Sequence, residues 1–117
     1  MREVTLLGPR GLTLHAAVPQ TRRERRRGLL GKAELPADEA MLFERCRSVH
    51  TFGMRFEISA VLLDEALRVR RVALLRPGRV LLPRLRAGHV LECAPRVPLR
   101  AGDRLTALPK VPRSAGR

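Results

Sequence analysis

The chain has 117 residues, 24 of them Lys or Arg against 11 Asp or Glu, for a formal charge of +13. That length supports one domain with its own core, without disulfide or metal staples. A hydrophobic content of 44% excludes wholesale disorder, and three Phe with no Trp or Tyr argue against a stacking platform for single-stranded nucleic acid.

Glu3 to Leu7 and Leu12 to Val18 read as strands joined at a Gly8-Pro9-Arg10-Gly11 turn. His15 alternates with Leu14 and Ala16 and reads as a solvated strand residue. Thr21 and Glu24 have the spacing of a helix capping box, which predicts a short helix over Arg22 to Leu30 stopped by Gly31. Met41-Leu42-Phe43 reads as a short buried strand. Phe56 to Leu63 is a longer one, and its run Ala60-Val61-Leu62-Leu63 predicts burial on both faces. Asp64-Glu65-Ala66 turns into a strand over Leu67 to Leu75, with Leu67, Val69 and Val72 inward. Val80 to Arg86 contains Pro83 and reads as loop or edge. His89 to Ala94 and Arg104 to Leu108 are the closing strands. The segments together predict a mostly-β single domain over 1–108, a small β-barrel or β-sandwich with one short helix near residues 21–30. Residues 109–117 read as a basic, Pro-containing flexible tail.

The charge is almost all arginine, with Lys only at Lys32 and Lys110, no Asn, and Ile58 as the single isoleucine. GC-rich coding produces that profile, so the charge is weak evidence for a specific partner. Nonspecific attraction to nucleic acid at low salt is expected whatever its origin. Met1-Arg2-Glu3-Val4 does not open like a signal peptide, and no run approaches the roughly 20 apolar residues of a membrane span. A cytoplasmic protein without membrane contact is therefore expected. Cys46 and Cys93 read as separate reduced thiols.

The ordered set Arg27-Gly28-Leu29-Leu30-Gly31, Met41-Leu42-Phe43, His50-Thr51-Phe52-Gly53-Met54-Arg55-Phe56, Val61-Leu62-Leu63-Asp64, Val90-Leu91-Glu92 and Ala101-Gly102-Asp103-Arg104-Leu105 resembles domain-of-unknown-function family 192. The resemblance runs from about Thr21 to Leu108. It implies a small β-barrel or sandwich with a short helix, and it carries no established activity. Members like this usually have an acid after the isoleucine of the central strand, where this chain has Ser59.

The richest stretch chemically is Ser48 to Phe56. His50, Thr51 and Arg55 are placed to line a polar groove, with Asp64 and Glu92 in support, and Arg is suited to gripping an anionic group through its planar fork. Each has a plainer role: Asp64 and Asp103 as turn residues bonded to backbone N–H groups, Glu92 facing solvent or paired with an arginine, Met54, Phe56 and Phe52 as core. His15, His50, His89, Cys46 and Cys93 lack metal-site spacing, so no metal and no cofactor are expected. The expected function is a non-catalytic binding domain for a small anionic ligand or a partner protein around His50, Thr51 and Arg55. The alternatives are a hydrolase using His50 with an acid, for which no Gly-x-Ser-x-Gly or HExxH motif speaks, and nucleic-acid association through the Arg22 to Arg27 helix and the tail. Ligand identity and oligomeric state are not legible in the sequence.

Overall fold

A computed structural model describes residues 1–46, 48–81 and 88–110. Among these residues the regular elements are nine strands, one α-helix and a 3-10 turn at Pro9–Gly11: β1 (Arg2–Leu7), β2 (Thr13–Val18), α1 (Arg22–Arg27), β3 (Glu39–Cys46), β4 (Val49–His50), β5 (Ile58–Leu63), β6 (Val69–Leu75), β7 (Val80–Leu81), β8 (Gly88–Cys93) and β9 (Thr106–Pro109). Seven strands form one sheet in the order β6-β5-β8-β3-β2-β1-β9, and β4 pairs with β7 in a second, small sheet. Within the large sheet β2 and β3 run parallel. A parallel pair needs a crossover connection, and that crossover carries α1.

The local signals read from the sequence have the expected outcomes here. β1 and β2 pair antiparallel around a 3-10 turn at Pro9–Gly11. Thr21 accepts from the Glu24 N–H while the Glu24 carboxylate accepts from the Thr21 N–H, closing the capping box. The helix is shorter than expected, ending at Arg27. Gly28 caps it at φ 48°, a left-handed conformation that favours glycine, and redirects the chain so that Leu29 packs into the core at 3% exposure. All six residues of β5 are buried. β6 pairs with β5 as the expected hairpin and places Val69 in the core, but β6 is an edge strand and Val72 stays 38% exposed.

The sheet curls until its two outer strands approach at one end. There Arg68 bridges to Arg104, the Val69 N–H donates to the Asp103 carbonyl at 2.7 Å, and the Leu105 N–H donates to the Leu67 carbonyl at 2.9 Å. β6 and β9 themselves are unpaired with one another, so the sheet does not close into a barrel. The mostly-β reading with one short helix stands, in a sandwich-like form.

Alternation along the strands separates two clusters. Leu6, Leu14, Leu42, Val61, Leu91 and Cys93 belong to the inner one. Met41, Phe43, Ala60, Leu62 and Val90 face the other way and pack under Leu29, Val49, Met54 and Leu81. The second cluster therefore depends on pieces lying across the sheet: the turn after α1, the small β4–β7 sheet, and the loop after β4. No helix among the described residues is long and apolar enough to cross a membrane. Most of the 80–86 segment and residues 111–117 of the expected tail lie outside the described residues.

Candidate functional site

The pieces that cover the outer face do not fill it. Between the end of α1, the end of β3, β4 and the 51–54 turn lies a cavity of about 130 Å³. Its apolar wall is Leu29, Leu30, Phe43 and Met54; Arg25, Arg26 and Arg27 come from α1; Cys46, Ser48, His50 and Glu92 supply further polar atoms.

Glu92 reaches this site by strand parity. On β8 it follows Leu91, which points inward, and it pairs with Met41 of β3 and Ala60 of β5, both outer-face residues. The residue is 5% exposed. No hydrogen bond or ion pair to its carboxyl is found among the described residues, and neither oxygen is sealed off inside the protein. Its polar atoms therefore open onto the cavity. Burial penalises the charged form and pushes the carboxyl up to about 7.

Cys46 arrives by a different device. Between Phe43 and Cys46 the β3–β8 register slips, and Arg45 takes φ 51°. Two residues of β3 thus oppose one step of β8, a bulge that reverses the facing of everything beyond it. The Arg45 N–H, lost to the ladder, donates to His89 Nδ1 at 3.1 Å. The Cys46 thiol donates to the Ser48 carbonyl at 3.0 Å, and burial raises its pKa, so it is no activated thiolate. Arg25 is anchored in the same region, donating from Nη1 to the Glu44 carbonyl at 2.9 Å.

The His50–Met54 segment forms the mouth. His50 is exposed, and its ring stacks on Phe52 with centroids 5.5 Å apart. Phe52 is 54% exposed, although its alternation with Met54 suggested core. Gly53 at φ 79° lets the chain turn so that Met54 goes inward while Phe52 stays out. Thr51 is fully buried. Its hydroxyl donates to the Arg76 carbonyl and accepts from the Arg79 N–H at 2.9 Å, and its own N–H donates to the Arg79 carbonyl at 2.8 Å. It fastens the 51–54 turn to the 76–79 turn and offers the cavity no polar atom.

Of the residues singled out in the sequence, the structure brings His50 and Glu92 to one cavity. Arg55 is exposed and does not line it. Asp64 Oδ1 accepts from the Ala66 and Arg68 N–H groups, both at 2.9 Å, and Oδ2 meets Arg70 at 3.1 Å. Those contacts, the Arg68 N–H foremost, hold its carboxyl below the ordinary range. Asp103 is likewise occupied, by Arg10 at 2.7 Å and the Arg100 N–H at 3.0 Å. Among the described residues no three His, Cys, Asp or Glu side chains gather as metal ligands. Sequence reasoning did not assign Arg25 to Arg27, Cys46 or Phe52 to the site. The bulge that turns Cys46 and the glycine that exposes Phe52 leave only faint traces in a sequence.

A family model described as "Uncharacterized ACR, COG1430" matches residues 5–106. Two solved structures share the fold. One is a protein of unknown function from Novosphingobium aromaticivorans, 22% identical with a TM-score of 0.76, over 89% of this chain and 83% of that one. The other, from Sinorhizobium meliloti, is described as a "putative transcription regulator"; it is 21% identical with a TM-score of 0.75, over 91% of this chain and 92% of that one. Among curated proteins nothing matches the sequence.

Proposed function

The chain belongs to domain-of-unknown-function family 192, and we propose that its role is non-catalytic binding of a small anionic ligand in the cavity beside His50. The observation that carries this reading is Glu92, a buried carboxyl without a partner among the described residues, opening onto a cavity that three consecutive arginines also line. A desolvated polar group costs stability unless something satisfies it. A ligand that reached Glu92 while meeting the guanidiniums would satisfy both. The thiol of Cys46, which lines the cavity, is held neutral by burial, and so is poorly disposed to attack. That favours binding over hydrolysis.

Titration of the uniformly ¹⁵N-labelled chain with benzoate, acetate and inorganic phosphate tests the reading. Saturable shifts of the Gly28, His50, Phe52 and Gly53 amides are expected with at least one probe. Shifts spread evenly over the arginines, vanishing with added salt, would count against it.

A second reading is nonspecific association with nucleic acid. It draws on the +13 charge and on Arg22, Arg23, Arg26 and Arg27, which are exposed on α1. The name of the Sinorhizobium neighbour leans the same way, although a likeness at that identity speaks for fold. Duplex binding that persists at high salt would support a specific role, and a steep loss with salt would leave only charge.

A further inference from the structure

Resting on that reading, we propose that the ligand is a small monocarboxylate with an apolar body, and that Glu92 meets it as a carboxylic acid, donating its O–H to the ligand's carboxylate. The dimensions select the class. At about 130 Å³ the cavity is comparable to an engineered apolar cavity of roughly 150 Å³ that accommodates benzene, and its mouth at His50 and Phe52 leaves a charged end of the ligand room to reach out. Leu29, Leu30, Phe43 and Met54 make one side of it apolar. A phosphate or a dicarboxylate could meet the arginines but would set its remaining charge against Leu29, Leu30, Phe43 and Met54. One negative charge at one end, with an aliphatic or aromatic remainder, matches both halves of the lining.

The protonated role of Glu92 follows from what surrounds it. Among the described residues, the titratable and charged groups facing the cavity with it are Arg25, Arg26 and Arg27 from α1, Cys46 from the end of β3, and His50 from β4. Its strand partners Met41 and Ala60 carry no charge, and Cys93 lies on the opposite face of β8. None of the arginines forms an ion pair with Glu92 among the described residues, so its acid form persists to about pH 7. An arriving anion raises that value further, because two negative charges at hydrogen-bond distance cannot both persist. Binding therefore takes up a proton. Affinity should hold at acid pH and then fall, by up to about tenfold per unit, once pH passes the free protein's value.

The test is calorimetry of the full chain with benzoate, which stays ionised throughout, from about pH 6 to about pH 8 and in two buffers of different ionisation enthalpy. The expected result is proton uptake on binding and weaker affinity at high pH. Glu92→Gln keeps a donor and should bind benzoate about as well as the wild type does at about pH 6, with the pH dependence gone. Glu92→Leu, which cannot donate, should lose tenfold or more. His50→Gln should leave the pH profile in place, assigning the proton to the carboxyl. Thermal melts of the three variants check that each is folded, and should the leucine variant fail, the glutamine variant alone decides.

Proton release, affinity that is flat or rises with pH, or Glu92→Gln with an unchanged profile would overturn the proposal. So would tighter binding of benzylamine than of benzoate, which would make Glu92 an anion facing a cation. If benzoate and acetate both fail while inorganic phosphate shifts the Gly28 and His50 amides, this inference falls and the broader anion-binding reading stands. If no probe perturbs those amides, both fall.

Discussion

Leu91 and Glu92 are consecutive on β8 and almost equally hidden, at 0% and 5% exposure, yet their surroundings differ in kind. Leu91 points into the curl of the large sheet, where it belongs to one apolar cluster with Leu6, Leu14, Leu42 and Val61 from β1, β2, β3 and β5. Glu92 points to the outer face, which the sheet cannot cover by curling. That face is roofed by three short separate pieces, each fastened by its own local contacts: Gly28 turning Leu29 inward, the two-stranded β4–β7 ladder, and the Thr51 hydroxyl tying one turn to another. Side chains on the inner face of one curled sheet pack against one another directly, whereas a roof assembled from parts leaves space where they meet. In this protein that space holds the Glu92 carboxyl, which has no partner among the described residues. The inner face accounts for the fold, and the outer face accounts for the site.

The inner face should respond to mutation as packing does. Leu91→Ala leaves a void that the surrounding strands cannot fill, and should lower stability by about 2–5 kcal/mol in denaturant unfolding. A loss under about 1 kcal/mol, within surface-like bounds, would mean that the inner face is looser than described.

On the outer face the largest effect is electrostatic. Burial raises Glu92 from an ordinary 4.5 to about 7, so the folded state holds a proton that the unfolded state has already released. Between those values stability falls as pH rises, by about 3 kcal/mol in total, and it changes no further above them. Glu92→Gln removes this slope. Its stability relative to the wild type should climb by about that amount from acid to mildly alkaline pH. Parallel unfolding curves at every pH would place Glu92 in contact with solvent or with a cation. Asp64 and Asp103 act in the opposite sense, losing their contribution as pH falls, and they cancel in the comparison.

The roof has weaker joints. Thr51→Val deprives the Arg76 carbonyl and the Arg79 N–H of a buried partner and should cost about 1–3 kcal/mol. Because Thr51 offers the cavity no polar atom, direct contact with a ligand should not change. Thr21→Ala removes one side of the capping box and should cost about 1 kcal/mol, felt as faster amide exchange in α1 and the Gly28–Leu30 turn.

How much of this was written locally in the sequence divides along the same line. Features held by neighbours in the chain were legible: the Thr21/Glu24 cap, the β1–β2 hairpin, the β5–β6 hairpin around Asp64, and burial of β5 on both faces from four successive apolar residues. The strand order and the parallel β2–β3 pair were not, because nothing within either strand names its partner. The cavity was legible only in part. Alternation along β8 puts Glu92 opposite Leu91, and an acid there reads naturally as facing solvent. What hides it is the roof, whose placement depends on a register slip at Arg45 and on glycines at 28 and 53 that no hydrophobic pattern announces.

Protonation of the Glu92 side chain decides between these alternatives most directly, and ¹³C-detected NMR of its carboxyl can follow it in the full chain. A titration midpoint near 7 in the free protein, moving upward when benzoate is added, is the predicted result. A midpoint in the ordinary carboxylate range, or one that benzoate moves downward, would contradict it.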